Sequence, residues 1–370
     1  MSRHRKSTIC SIALAAVWSL ACSIQIAAAN PPAEAQGLWV ADGNFISVFQ
    51  GAALASSGTP DAHLAFGIKP PFRVPFSIAF DRHNDLWITD LGGLQAGDVS
   101  IVEVRRAEIA SLRTGDVAKR RLVAPGGSGI TSIGWFGLGF DAADNLFVTN
   151  AGQQLLVVAP DKFETKRPSP AIVISSKQWS PGTLRFDGSD NLWVSANNQL
   201  WRFAPSDRTT SGAPNPSLIV NLPTNFGVQD LAFDGSGNLW IAGAEFTVGI
   251  LDEIEMISAA DLIGAGEVSP PFAVTITSAA FGTEPGLAGG ICLGGIDFDH
   301  SGDLWVSARC DPETHLMEFT PSQLSLGGDL TPSVTISPNS RKTNLAFPGP
   351  IRFGPRSNNR LLPNGLFTGG

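Results

Sequence analysis

The stretch LRFDGSDNLWVSAN at residues 184–197 decides the fold, because close copies of it recur along most of the chain. They read SIAFDRHNDLWITD at 77–90, GLGFDAADNLFVTN at 137–150, DLAFDGSGNLWIAG at 230–243 and GIDFDHSGDLWVSA at 295–308. Such self-similarity means one supersecondary unit used repeatedly, each copy burying its apolar face against the next. Every copy has hairpin chemistry: runs of alternating large apolar and smaller residues flank a turn of Asp, Gly, Ser and Asn. Gly and Asn tolerate positive φ and Asp can bond its own backbone, so these residues turn the chain readily. At 184–197, Leu184 and Phe186 share one strand face, Asp187 to Asn191 make the turn, and Leu192 begins the return. One position is aromatic throughout (Trp87, Phe147, Trp193, Trp240, Trp305), and core packing between adjacent sheets accounts for it better than a binding stripe.

A second half-repeat follows the first. QQLLVVAPDKFETKRPSPAIVI at 153–174, NQLWRFAPSDRTTSGAPNPSLIVNL at 198–222 and HLMEFTPSQLSLGGDLTPSVTI at 315–336 share one order of parts. Each has a strand ending near Pro, a turn, a Ser/Gly/Pro-rich link and a β-branched strand. Four strands per unit, repeated radially, predict an all-β β-propeller. The Phe-Asp pairs stand at Asp81, Asp141, Asp187, Asp234 and Asp299, in steps of 60, 46, 47 and 65 residues. A sixth unit is split: GLWVADGNFISVFQ at 37–50 has a return strand with no inner strand before it, and GPIRFGP at 349–355 supplies an inner strand. Joining the two closes the ring and removes exposed sheet edges. The predicted count is six blades, with seven as the alternative.

The expected organisation is a signal peptide at 1–29, a short linker at 30–36, the propeller at 37–360 and a tail at 361–370. Arg3, Arg5 and Lys6 head an apolar run that ends in Ala27-Ala28-Ala29 before Asn30, a small-residue cleavage pattern; an uncleaved anchor is the alternative. The destination is secreted or periplasmic, and nothing after residue 30 is apolar for long enough to span a bilayer. Loss of the leader removes three basic residues and no acidic ones, leaving 22 Lys plus Arg against 33 Asp plus Glu, a balance of −11. That charge argues against nucleic acid and against anionic lipid as partners. A monomer is expected. Low charge density with 40 Gly and 26 Pro suits a turn-rich all-β body.

Cys292 and Cys310 are the cysteines outside the leader. If Phe298 faces Leu304 across its hairpin, residue 292 faces 310, close enough for a disulfide in an oxidising compartment. Two segments depart from the repeat. Residues 105–121 carry Arg105, Arg106, Arg113, Lys119, Arg120 and Arg121, read as a solvated outer strand and loop, with a docking patch as the alternative. In 245–295, Asp252, Glu253 and Glu255 precede a short helix capped by Ser258, and a run through Gly286, Gly289, Gly290, Gly294 and Gly295 is read as a flexible rim or lid. Inner-strand positions facing the axis are small (Ser77, Ala79, Gly137, Gly139, Ala232, Gly295), as crowding requires. Arg185, Asp297 and Arg352 break that rule and are candidates for buried pairing or for lining the channel.

The repeat Phe-Asp-x-x-Gly/Asp-Asn/Asp-Leu-Trp-Val/Ile-Ser/Thr resembles that of the NHL-type propellers and of the related streptogramin lyase and gluconolactonase families. The resemblance covers most of residues 37–355 and is more specific for fold than for activity. In these families ligands approach the axial face, where return strands end and inner strands begin. Carried onto this chain, the resemblance places Asp42, Asp90, Asn150, Asn197, Glu245 and Asp311 around that face. These oxygen donors could hold calcium or magnesium; strand-end capping is the alternative. Trp135 and Phe136 precede one inner strand and Trp179 the next, which sets aromatic planes on the same face, suited to a sugar or other amphipathic ligand. Together with Arg185 and Arg352 they are the candidate ligand-binding residues. The lyases use a histidine near the axis. Here His83 and His300 fall in hairpin turns at the opposite end, His63 in a link, and His315 at the start of a third strand. No catalytic residue is identified. The expected function is therefore ligand or protein binding at the axial face, the ligand a small molecule or carbohydrate, with a metal-dependent lyase or lactone hydrolase as the alternative.

Overall fold

The computed structural model describes residues 36–42, 45–68, 75–90, 101–119, 121–122, 135–150, 152–165, 168–176, 180–246, 250–282, 292–310, 313–338, 345, 348–355, 360–361 and 367–368. The signal-peptide reading of 1–29 lies outside them. Six antiparallel sheets form the blades of a propeller. Blade 1 is ordered Pro348–Pro355, Gln36–Asp42, Phe45–Phe49, Leu64–Ile68, so the split unit closes as its sequence requires. Blade 2 holds Pro75–Phe80, Leu86–Asp90, Ile101–Val104 and Arg121–Leu122; blade 3 holds Trp135–Phe140, Leu146–Asn150, Gln154–Val158 and Ile172–Ser175. Blade 4 comprises Pro181–Phe186, Leu192–Ala196, Gln199–Phe203 and Leu218–Asn221, and blade 5 Phe226–Phe233, Leu239–Glu245, Leu251–Ile257 and Val274–Thr277. Leu293–Phe298, Leu304–Cys310, Glu313–Phe319 and Val334–Ile336 make blade 6. Arg360–Leu361 and Phe367–Thr368 pair separately in the tail.

The repeat residues explain both the turn and the packing. Asp81 Oδ1 accepts from the backbone N–H of His83 and Asp85, and its Oδ2 accepts from Trp87 Nε1 at 3.0 Å. Asp187 and Asp234 repeat all three bonds. One residue per turn is left-handed: Asn84, Asp144 and Asp190 at φ 61–67, and Gly237 and Gly302 in the other two. The aromatic position of each blade then packs against the inner-strand Phe of the next. The pairs are Trp39–Phe80, Trp87–Phe140, Phe147–Phe186, Trp193–Phe233, Trp240–Phe298 and Trp305–Phe353, with centroids 5.1–6.4 Å apart and rings steeply inclined. Edge-to-face pairs stabilise by about 0.5–1.5 kcal/mol each beyond area burial, so all six interfaces carry the same contact. In the split blade Phe353-Gly354 stands where the others have Phe-Asp, and the buried Trp39 Nε1 is left without an acceptor.

Every inner strand carries one extra residue near the axial end, a β-bulge present in all six blades. Return-strand hydroxyls cross the interfaces beside these bulges. Thr89 Oγ1 donates to Phe136 O at 2.7 Å, Thr149 Oγ1 to Gly182 O, and Ser307 Oγ to Gly349 O at 2.6 Å. The bulge corrects the expected register in blade 6. Ile296 faces Val306 as predicted, but beyond the bulge Leu293 faces Ala308, and Arg309 N donates to Cys292 O. The disulfide Cys292–Cys310 closes nonetheless, with Cα atoms 5.0 Å apart. Gly294, expected in a flexible rim, belongs to this inner strand, as does Gly295, which the repeat had placed there. A Cβ on Gly294 would stand 2.5 Å from Pro348 O of blade 1, which is why the position is Gly.

The links between third and outer strands clasp the preceding blade. Val117–Ala118 pairs in parallel with blade 1, Gly266–Val268 with blade 4 and Gly328–Asp329 with blade 5, while Gly58 and Gly212 bridge to blades 6 and 3. The basic segment 105–121 is one such clasp. It opens with the short helix Arg106–Ile109, and Arg105 is paired with Glu164 through two bonds of 2.6 and 2.8 Å. Covering outer edges in this way removes unpaired backbone groups that would recruit other chains. Among the described residues no helix is long and apolar enough to cross a membrane.

Candidate functional site

The two ends of the propeller differ in construction. At one, the described hairpin turns are uniform and closed by their own Asp, and the longer links are tied down as clasps. The other is the axial face, where the return strands end, among them those closing at Asp42, Asn150, Ala196 and Glu245. Strand ends and turns on a regular scaffold are where binding residues are placed.

Asp42, at the end of its strand in blade 1, is buried. Asn150 is fully buried and closes its own turn: Oδ1 accepts from Gly152 N and Gln154 N, and Nδ2 donates to Gln154 Oε1 at 3.1 Å. Asn197 is an exposed turn residue at φ 56. Phe136 is partly buried and packs edge-on against Phe76 at 5.4 Å. The side chains of Asp90 and Trp135, and Trp179 and Asp311 altogether, lie outside the described residues. Among those described, no group of three His, Cys, Asp or Glu converges where an ion could sit.

Blade 5 carries a run of acids that starts at this face with Glu245 and leads inward along the third strand to Glu255. Leu251–Ile257, read from sequence as the prelude to a helix, is the third strand, and its alternation sends Glu253 and Glu255 to one side and Asp252 to the other. The helix follows as the turn Ala259–Leu262, capped by Ser258 as predicted. Burial drives the Glu255 carboxyl up to about 8, and Glu253 and Glu245 add to the shift, although Thr275 Oγ1 donates to Glu255 Oε2 at 2.7 Å. Glu255 is thus shifted toward its protonated form beside Glu253, which burial and the neighbouring Glu245 raise as well. On the other side, burial lifts Asp252 to about 6 even though it accepts from Cys292 N and Leu293 N.

Exposed apolar residues stand at strand ends in blades 1 and 5, and sequence reasoning missed them. Phe45 is 37% exposed at the turn after Asp42; Phe246, 40% exposed, follows Glu245 directly, and Leu251, 51% exposed, pairs with Glu245. Their only sequence signal is a large apolar residue outside the repeat at a strand end.

Arg185, Asp297 and Arg352 prove to be a buried network, completed by Asp230, which sequence reasoning did not single out. Arg352 grips Asp230 with two bonds of 2.8 and 3.1 Å and also donates to Ile351 O and Ile296 O. Arg185 donates to Asp297 Oδ1 at 3.0 Å, to Leu231 O and to Ile296 O. Asp297 Oδ2 accepts from Phe353 N. Burial works against the Asp230 charge, but Arg352 and Arg185 outweigh it and hold the carboxyl below the usual range. Four inner strands are joined by this network, and both guanidiniums are engaged inside it. Of the histidines, His315 pairs through Nδ1 with Ser337 Oγ at 3.2 Å, while His83 lies 3.8 Å from Asp144 at the turn end.

No family model and no curated protein matches the sequence. Among solved structures the chain is similar to a catalytically inactive virginiamycin B lyase from Staphylococcus aureus with quinupristin, at 11% identity and a TM-score of 0.48, over 89% of this chain and 94% of that one. It is also similar to a protein of unknown function from Bacteroides caccae, at 10% identity and a TM-score of 0.49, over 86% and 99% of the two chains. The extracellular domain of a one-component system from B. thetaiotaomicron aligns at 14% identity and a TM-score of 0.45, over 76% of this chain and 33% of that one. The likeness is one of architecture; the six blades rest on the strand pairing described above.

Proposed function

We propose that this chain is an exported propeller that binds a ligand or protein partner at its axial face. The observation that carries the reading is that strand ends on this face expose apolar residues next to acids in two blades, Phe45 facing Asp42 in blade 1, and Leu251 facing Glu245 with Phe246 after it in blade 5. Apolar residues beside acids suit an amphipathic ligand with donor or cationic groups. The Cys292–Cys310 bond supports an oxidising destination. The test is a thermal-shift screen of small molecules and cationic peptides on the wild type and on a Phe45→Ser, Phe246→Ser double variant. Compounds that stabilise the wild type should lose their effect on the variant, whose own melting point stays within about 1 °C because both rings are partly exposed. Hits that survive the double substitution place the site elsewhere.

Enzymatic action at the same face is the second reading, favoured by the perturbed carboxyls. A glutamic acid held neutral to about pH 8 beside a second glutamate is a proton donor of the kind active sites build. Lyase or lactone hydrolase chemistry would use that proton. Calcium or magnesium added after chelation distinguishes the metal-dependent form: a native-state ligand must raise the melting temperature, and Asp90→Ala with Asn150→Ala should abolish the rise. No rise on add-back removes the metal from the reading.

A further inference from the structure

We propose that a groove on the rim between blades 3 and 4 is a binding site for a neutral carbohydrate, separate from the axial acids. A cavity of about 630 Å³ opens there, where the Gly152–Gln153 turn and the end of the Ile172–Ser175 strand meet the link that precedes the outer strand of blade 4. Its volume falls within the range of small-ligand sites, about 300–1,000 Å³.

The lining chemistry selects the ligand class. Gln153, Gln154 and Asn215 supply amides, Ser175 and Ser176 hydroxyls, and Trp201 an indole edge, with Pro214 and Pro216 beside it. None of the lining side chains carries a charge at neutral pH. The contrast is the cavity of about 730 Å³ at the turn end of blades 2 and 3. It is lined by Asp81, Asp85, Glu103 and Glu164 with Arg82 and Arg105, and Arg105 is already paired with both glutamates. In a chain with 58 Asp, Glu, Lys and Arg residues, a groove built from amides, hydroxyls and one indole excludes phosphate, carboxylate and ammonium ligands as the natural fit. Each sugar hydroxyl is both donor and acceptor, and amides and serines answer in both directions. Pro-rich peptides dock instead in grooves lined by several aromatics, and this one has a single indole.

The groove is held in shape before any ligand arrives. Trp201 Nε1 donates to Gln199 Oε1 at 2.8 Å, Gln199 Nε2 to Asn221 Oδ1 at 2.8 Å, and Asn221 Nδ2 to Glu267 Oε1 at 2.8 Å. This chain of bonds runs from the clasp of blade 5 to the indole and fixes its edge. On the other wall Gln154 is set by Asn150. Gln153 sits at φ 60, a left-handed conformation that favours glycine or asparagine, so a long amide side chain is kept where the backbone would prefer a smaller residue.

The test uses the folded full-length protein. Maltotriose, cellotriose, laminaritriose, xylotriose and mannotriose are each titrated to about 10 mM by calorimetry, which detects the sub-millimolar to millimolar affinities expected of an open groove. At least one should bind. Gln153→Gly and Asn215→Ala should each weaken it about fivefold, the effect of losing one hydrogen bond, with melting temperatures equal to wild type. Gln153→Gly relaxes the backbone, so a folding defect cannot mimic the loss. His300→Ala, in a hairpin turn at the far end, should change nothing. Three outcomes overturn the proposal: no trisaccharide binds; binding survives both groove substitutions but is lost in Phe45→Ser, Phe246→Ser; or a proline decapeptide binds with the same sensitivity to the groove substitutions. The second would place the sugar on the axial face, whereas failure of the axial reading alone leaves the groove result intact.

Discussion

Replacing Arg352 with Met should destabilise the propeller by about 3 kcal/mol. The wild-type guanidinium makes four hydrogen bonds, two of them to Asp230, and both side chains are at most 6% exposed. Removing one partner of a buried ion pair costs roughly 3–5 kcal/mol, because the other charge is left uncompensated. Arg185 lies close enough to help hold Asp230 ionised, which sets the expectation at the lower end. For a chain of this length the melting point should fall by about 2 °C per kcal/mol, near 6 °C in all. Adding Asp230→Asn to the Arg352→Met background removes the orphaned charge and should recover at least about 1 kcal/mol. Equilibrium unfolding in urea across the double-mutant cycle reads both values. A single-variant loss below about 1 kcal/mol, or a double variant no better than the single, would refute the assignment of this pair as the lock between the closing strand and blade 5.

Two further expectations concern stability. Because Glu255 has a folded-state value near 8, above its ordinary one, its contribution is complete below about pH 4.5, declines as pH rises and is gone above about 8. At about 1.4 kcal/mol per unit, reduced because Glu253 is coupled to it, the loss between pH 5 and 8 should be about 2–4 kcal/mol. Glu255→Gln should flatten most of it; equal wild-type stability at the two pH values would contradict the buried, protonated state. Cys292→Ser with Cys310→Ser should cost about 3 kcal/mol for an 18-residue separation, and native protein that reacts with a maleimide would show the thiols to be free.

Legibility in the sequence followed the physics of each part. Asp81, Asp187 and Asp234 each bind a Trp six residues on, so turn and core share one motif and the blade count could be read directly. The bulges could not be read, since the inserted positions follow no residue type: Phe76, Gln229 and Gly294 all serve. The Cys292–Cys310 pairing was anticipated even though the register around it shifts by one. Arg185, Asp297 and Arg352 announced themselves by size at the slot where Ala79, Gly139 and Ala232 are small. Asp230 exceeds the size of Ser77, Gly137 and Gly295 in its own slot as well, but only its pairing with Arg352 shows its role. Glu253 and Glu255 were read only as the prelude to a short helix; the strand register and their burial show them to be interior groups. The apolar residues of the axial face were hidden because a single large side chain at a strand end carries no periodicity.

The split blade also sets the order of events when the chain is made. Three of its strands, Gln36–Asp42, Phe45–Phe49 and Leu64–Ile68, emerge first, yet their inner partner Pro348–Pro355 is synthesised some three hundred residues later. Until then blade 1 has no inner strand, Trp305 no Phe353 to meet, and Asp230 no arginine from the closing strand. Contacts of such long sequence separation form slowly and leave apolar faces open meanwhile. The closing strand Pro348–Pro355 is therefore a timer as well as a clasp. A chain shortened before residue 348 should fail as a whole rather than lose one blade, whereas a permuted chain beginning at blade 2 would bring blade 1 together in a single stretch.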